Sequence, residues 1–236
     1  MPNSLSTPSP PPELRARVLG AVGAEPVAPR PAYRLRRALA LAGGVALSAG
    51  ILLFTGGPGG YGRPSSYYVT LAAAWLAIGV SAAWLGVARG RSMLGRPASQ
   101  RLLVAVLTPI ALAVSALIAG VVVHPLLRPT GLLEHTRCIS FTVLMAFGPL
   151  VAFTFARRGS DPVAPRFTGA AIGAAAGALG ALGIELRCSH AGMFHVLLAH
   201  VLPVVALAFV GAFLAGRFID VQAGQAGQAR QRPPRS

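Results

Sequence analysis

The chain has 236 residues, of which 54% are hydrophobic and only 11% are charged, and its mean hydropathy is +0.63. A soluble domain carries about a quarter charged residues, so this composition favours a membrane protein. The net charge of +15 would suit a nucleic-acid-binding protein, but all 21 basic residues are arginines scattered between apolar runs. We therefore exclude direct binding of nucleic acid, which needs a basic face.

Residues 1–37 form a polar, proline-rich arm that lacks the apolar core of a signal peptide, and we expect no cleavage. Within the arm, apolar side chains recur at helical spacing, which predicts a short amphipathic helix with a stripe made of Leu14, Val18, Leu19 and Val22. A helix of about three turns is not stable alone in water. The stripe therefore lies either on the membrane surface or against a partner protein.

Six apolar runs follow the arm within residues 38–216, each close to the roughly 20 residues that cross the hydrocarbon of a bilayer. They are Ala38–Thr55, Tyr67–Val87, Leu102–Val123, Ile139–Ala156, Phe167–Ile184 and Phe194–Gly216, and a polar tail covers residues 217–236. None contains Asp, Glu, Lys or Arg. The sequence predicts an all-α protein, a bundle of six transmembrane helices.

The arginines predict the orientation of this bundle. Six crossings place the arm, the second–third loop, the fourth–fifth loop and the tail on one side, and these segments hold 17 of the 21 arginines. The other side holds four: Arg63, Arg128, Arg137 and Arg187. Because positive residues in short loops stay in the cytoplasm, we predict that both termini are cytoplasmic.

The fifth run has Gly169, Gly173 and Gly177 at four-residue spacing, together with many alanines. Small residues at this spacing allow two helices to approach closely. We interpret the run as a central packed helix, with a homodimer seam as the alternative.

All cysteines and histidines fall on or near the predicted outer face. Cys138 and His135 precede or open the fourth run, while Cys188, His190 and His195 lie at the start of the sixth. We expect these two edges to face each other. His200 lies one turn or so further on, and we interpret it as a structural residue.

Three interpretations of this cluster stay open. Cys138 and Cys188 form a disulfide, structural or switchable, which an oxidising compartment permits. Alternatively, the thiols and histidines capture a soft or borderline metal reversibly, because thiolate and imidazole suit zinc and cadmium. In the third interpretation, the histidines are inert interfacial residues. We favour the redox pair and place metal capture second.

No pattern of catalytic residues occurs in the chain. There is no Ser-His-Asp or HExxH arrangement and no glycine-rich phosphate loop in front of a helix. We therefore predict that the protein is not an enzyme and has no resident cofactor beyond the metal considered above. The lack of ionisable Asp, Glu, Lys or Arg inside the runs also argues against a pump.

Several motifs resemble the NrsF family, the negative regulators of sigma factor F. The arm has its apolar stripe, then Pro26-Val27 and a basic run before the first span, and the fourth span opens on Arg137-Cys138 and closes on Arg157-Arg158. The most specific match is the end, where Leu186-Arg187-Cys188-Ser189-His190 and Met193-Phe194-His195 enter the sixth span. The family often has Cys-Pro there, whereas here Ser189 follows the cysteine.

The resemblance implies an anti-sigma factor of the bacterial inner membrane. Its arm would bind an extracytoplasmic-function sigma factor, and Cys138 and Cys188 would sense metal or oxidative stress outside and release it. The alternatives are a small channel and a structural membrane protein with a permanent disulfide.

Overall fold

The computed structural model describes residues 11–13, 16–17, 30–59, 65–87, 96–122, 131–158, 164–190 and 192–219. The chain divides into two compact units, Met1–Arg36 and Arg37–Ser236. In the first unit, residues 12–13 and 16–17 are helical and exposed. The four predicted docking residues, Leu14, Val18, Leu19 and Val22, lie outside the described residues.

Six helices make up the rest of the described chain, which contains no strand, so the predicted all-α class is confirmed there. Helix α1 covers Arg30–Phe54, α2 Ser65–Val87, α3 Ala98–Val122, α4 Leu132–Arg157 and α5 Pro165–Glu185. The last helix, α6, covers residues 193–219 and alternates two kinds of turn. Met193–Val196, Leu202–Val210 and Gly216–Ile219 are α-helical, and Leu197–Val201 and Gly211–Ala215 are π-helical.

Five of these helices, rather than the predicted six, are long and apolar enough to cross a membrane. They are Ser65–Val87, Ala98–Val121, Leu132–Arg157, Pro165–Glu185 and Met193–Leu214. The predicted first span falls short because the apolar part of α1 among the described residues is only Leu41–Phe54. Three arginines, Arg34, Arg36 and Arg37, occupy the first turns of α1 and leave less than the roughly 20 apolar residues that a crossing needs.

Helix α1 nevertheless packs closely on α4. A Cβ atom added at Gly44 would lie 2.6 Å from the Cβ of Ala152, and one added at Gly148 would lie 2.7 Å from the carbonyl oxygen of Gly44. The Ser48 hydroxyl also donates a hydrogen bond to the Met145 carbonyl across 2.7 Å. Such close approach of two backbones is typical of helix packing inside membranes.

Helix α5 lies at the centre of the second unit. In its most apolar window, 72% of residues are buried, against 28–44% in the other four spans. Its glycines face two different neighbours: Gly173 and Gly177 approach α6 at Leu207 and Val204, and Gly180 approaches α4 at Thr142 and Ala146. The small residues therefore serve packing within one chain, as the interpretation of a central helix predicts.

The bundle has two chemically different ends. At one end, which we call the thiol end, Cys138, Ile184, Cys188 and Ala199 form a buried cluster. At the opposite end, the arginine end, a second cluster joins the last turns of α2, α4 and α6 through Val87, Ala156 and Ile219. Among the described arginines of residues 65–219, Arg137 and Arg187 flank the thiol end, whereas Arg96, Arg101, Arg157, Arg158, Arg166 and Arg217 flank the arginine end.

Candidate functional site

The two cysteines meet at the thiol end. Cys138 lies in the second turn of α4, and Cys188 lies three residues beyond the end of α5. Their sulfur atoms are 3.8 Å apart, although 50 residues separate them in sequence. Both side chains are buried, with 9% and 5% of their surface exposed, and they are free thiols.

The backbone after α5 is held in place by three parts of the chain. The Cys188 amide donates to the Ile184 carbonyl at 2.7 Å, which keeps the cysteine one turn beyond the helix. The Leu186 carbonyl accepts from the Gly59 amide at 3.0 Å and from the Tyr68 hydroxyl at 3.0 Å. The loop after α1 and the first turn of α2 therefore fix the position of the Cys188 sulfur.

A break in regular α-helix shapes the start of α6. Pro203 has no amide hydrogen, so the Ala199 carbonyl four residues earlier loses its usual partner. That carbonyl instead lies 3.0 Å from the hydroxyl of Thr142, which also lies 2.9 Å from the Cys138 carbonyl. The single hydroxyl proton of Thr142 serves one or the other of these carbonyls. This contact joins α4 to α6 one turn away from Cys138.

The π-helical segment Leu197–Val201 brings two histidines to one face of α6. Five residues of α-helix advance by about 500°, which would leave His195 and His200 about 140° apart. A π-turn closes its hydrogen bond between residues i and i+5, so residues at this spacing come close to the same face. Their ring centroids are 5.4 Å apart. Single π-turns inside helices occur frequently at functional sites.

Both histidines are buried beside the thiols. Nε2 of His195 lies 3.4 Å from the Cys188 sulfur. Nδ1 of His200 bonds the Glu185 carboxylate at 3.1 Å, and both side chains are fully buried. The remaining nitrogen of His200, Nε2, has no hydrogen-bond partner among the described residues. One ligand atom from each of Cys138, Cys188, His195 and His200 can be chosen so that all four lie within 4.8 Å of one another.

His135 and His190 lie at the rim of this cluster. The ring of His135 pairs with the Gly131 carbonyl at 2.8 Å, and its centroid is 4.8 Å from that of His195. The His190 amide donates to the Cys188 sulfur at 3.4 Å, and its ring centroid is 5.2 Å from that of His195. Both rings border the four-residue cluster without belonging to it.

The environment of Cys188 favours its thiolate. A hydrogen bond from the Cys138 thiol lowers the pKa of Cys188 most strongly, and the imidazoles of His195 and His200 lower it further. Burial acts in the opposite direction but is outweighed. A thiolate, rather than a thiol, is the form that attacks oxidants and binds metals.

A known protein family matches most of the chain. The family model NrsF, negative regulator of sigma F, matches residues 21–220. The chain belongs to the NrsF family. The match covers all six helices and the whole thiol cluster, and it confirms the resemblance found in the sequence. No curated protein and no solved structure gives a significant match.

In this NrsF protein, the structure extends the set of candidate residues beyond those predicted. We expected His200 to be only structural, but it lies among the four clustered side chains, and Glu185 holds its ring. Two histidines five residues apart are not expected to share one face of an α-helix, so the sequence did not indicate that His195 and His200 lie together. The signal that could have revealed it is Pro203, three residues after His200, because a proline disturbs the preceding turn.

The cluster has two chemical capacities. Two thiols at 3.8 Å can join as a disulfide after a short approach, because an S–S bond is about 2.05 Å long. Two thiols and two imidazoles are also a donor set that suits zinc and similar ions. The two reactions use the same sulfur atoms and exclude each other.

Proposed function

We propose that this NrsF protein is an anti-sigma factor of the bacterial cytoplasmic membrane. Its arm holds an extracytoplasmic-function sigma factor away from RNA polymerase, and chemistry at Cys138 and Cys188 releases it. The observation that carries the proposal is the family match over residues 21–220, which assigns negative regulation of a sigma factor. Such a regulator acts by binding rather than by catalysis.

The division of arginines supports the proposed orientation. Among the described arginines of residues 65–219, six flank the arginine end of the bundle and two flank the thiol end. By the positive-inside rule the arginine end is cytoplasmic, and the thiol end then faces the oxidising side, where disulfides persist. If α1 also crosses the bilayer, beside α4, the arm reaches the cytoplasm, where its sigma factor is.

A reaction at the thiol cluster can shift α4, α5 and α6 relative to one another. Cys138 belongs to α4, Cys188 follows α5, and the Thr142 hydroxyl links α4 to the Ala199 carbonyl of α6. Oxidation by a peroxide would join the two sulfurs, and the two thiol hydrogens would leave with the peroxide oxygens as two water molecules. The sulfurs would approach by nearly 2 Å, from 3.8 Å to about 2.05 Å. A local change of this kind biases a bundle that has two arrangements.

The first test concerns the arm. Leu14→Asp with Val18→Asp should lower the amount of sigma factor that copurifies from the native host in mild detergent by at least tenfold. The reason is that a carboxylate on the apolar stripe cannot be buried cheaply against a partner. The control is Ala16→Asp with Gly20→Asp, which adds the same charge to the opposite face of the predicted helix. Equal recovery of sigma factor with both double variants would contradict docking through the stripe.

The second test concerns release. Cys138→Ser with Cys188→Ser should keep the sigma factor bound but abolish its loss on treatment with peroxide or cadmium, whereas Ser189→Ala should behave as the unaltered protein. Mass spectrometry of the purified complex measures both properties. A double serine variant that still releases its partner would refute sensing by the thiols and leave the anti-sigma role standing.

A further inference from the structure

We infer that Cys138, Cys188, His195 and His200 form a four-ligand site for a closed-shell divalent cation, zinc or its softer congener cadmium. The binding of the ion stands on the geometry of these four residues alone. Its consequence, that the ion acts as a signal for release, rests on the proposed function.

The distances fit tetrahedral coordination. Two Zn–S bonds of about 2.3 Å at a tetrahedral angle place the sulfurs about 3.8 Å apart, and an adjacent sulfur and nitrogen roughly 3.6 Å apart. The Cys138 and Cys188 sulfurs are 3.8 Å apart, and the Cys188 sulfur lies 3.4 Å from Nε2 of His195. The whole set lies within 4.8 Å, so small side-chain rotations complete the tetrahedron.

An unsatisfied nitrogen points independently to a ligand. Nε2 of His200 is buried and has no hydrogen-bond partner in the part of the chain that the structure describes. Leaving such a group unpaired is unfavourable, because the buried atom has lost its hydrogen bonds to water. Nδ1 of the same ring donates its N–H to the Glu185 carboxylate at 3.1 Å. The lone pair of the neutral ring is therefore on Nε2, and Nε2 can bind an ion. In zinc sites, a histidine ligand commonly donates the N–H of its other ring nitrogen to a carboxylate in this way.

The charges of the donor set balance those of the ion. Two thiolates cancel a divalent cation, and the two neutral imidazoles add no charge. A neutral complex is what a buried, low-dielectric site tolerates. Binding then releases to solvent any protons that the two sulfurs still carry. Hard ions such as magnesium and calcium prefer oxygen ligands and would not compete.

The two rim histidines lie where the site meets the protein surface. His135 and His190 are partly exposed, and their rings lie 4.8 and 5.2 Å from that of His195. They are near enough to meet an incoming ion but stand outside the group of four. This difference supplies a matched control, a histidine next to the site that is not a ligand.

The test uses the full chain, purified in detergent, reduced and stripped of metal with a chelator. We expect one Zn²⁺ per chain in competition with a chromophoric chelator, and one Cd²⁺ with the ultraviolet band of cadmium–thiolate bonds. His200→Gln should weaken zinc binding at least tenfold, and Glu185→Gln about 10–100-fold as a positioning residue. His135→Gln should bind as the unaltered chain does. All variants are compared first by circular dichroism and gel filtration.

A second readout uses the shared sulfurs. Bound zinc should slow peroxide-driven formation of the Cys138–Cys188 disulfide at least tenfold in the unaltered chain but not in His200→Gln. Zinc binding by His200→Gln at full affinity, weakening by His135→Gln, or no stoichiometric binding at all would each overturn the four-ligand site. Binding as expected in a chain that copurifies with no sigma factor would keep the site and refute the proposed function.

Discussion

Cys188 is the residue on which the contacts of the site converge. Its sulfur lies 3.8 Å from that of Cys138 and 3.4 Å from Nε2 of His195. The hydrogen bond from Cys138 is the largest cause of the lowered pKa of Cys188. Since a free thiol titrates near pH 8.5, the thiolate of Cys188 should persist well below that pH.

The ionisation of Cys188 can be measured by the ultraviolet absorbance of its thiolate in the reduced, metal-free chain. When the pH is lowered from 9, the thiolate absorbance of Cys188 should persist below the midpoint of an ordinary thiol, which is about 8.5. Cys138→Ala removes the donor, so the midpoint should rise towards the ordinary value, and Cys188→Ser should remove the absorbance that persists below that value. A midpoint near 8.5 in the unaltered chain would contradict the proposed stabilisation of the thiolate.

At this scale the sequence was informative about some residues and silent about others. The one-sided placement of cysteines and histidines was enough to select Cys138, Cys188 and His195, all of which lie in the cluster. His200 and Glu185 could not be selected, because their roles depend on a π-turn and on a contact between α5 and α6. A pattern based on the regular α-helical period does not contain that information.

Among the helices, α5 determines the distances between its neighbours. Its glycines were recognisable from their spacing, but the helix that each one faces depends on three-dimensional packing. A Cβ atom at Gly180 would overlap the Thr142 carbonyl of α4 and lie 2.8 Å from the Cβ of Ala146. Thr142 is one turn from Cys138, so the separation of α4 from α5 sets the position of the first thiol.

Gly180→Ala should therefore push α4 outwards, destabilise the bundle by about 1–3 kcal/mol and slow disulfide formation between Cys138 and Cys188 several-fold. Thermal unfolding in detergent and the rate of peroxide-driven crosslinking measure the two effects. The matched control is Gly43→Ala in α1, where an added Cβ meets nothing within 4 Å. If both variants crosslink at the same rate, the close contact at Gly180 does not position the thiol.

For the whole molecule, the path of α1 determines on which side of the membrane the arm lies. Five helices have the length and apolar character of membrane spans, and α1 has a shorter apolar part, Leu41–Phe54. The predicted first span was Ala38–Thr55, but the apolar helix found there among the described residues, Leu41–Phe54, is shorter than the roughly 20 residues of a crossing. Yet Gly44 and Ser48 place α1 directly against α4, which is itself a span. An arm that holds a cytoplasmic sigma factor requires α1 to cross.

Cysteine labelling in a chain with Cys138→Ser and Cys188→Ser tests this directly. Ser65→Cys, at the exposed start of α2 at the thiol end, should react with a membrane-impermeant maleimide in intact spheroplasts. Ser4→Cys in the arm and Ser236→Cys in the tail should react only after lysis, because the arginine-rich side stays in the cytoplasm. Labelling of Ser4→Cys together with Ser65→Cys from outside would show that α1 does not cross, and the arm could not then reach a sigma factor.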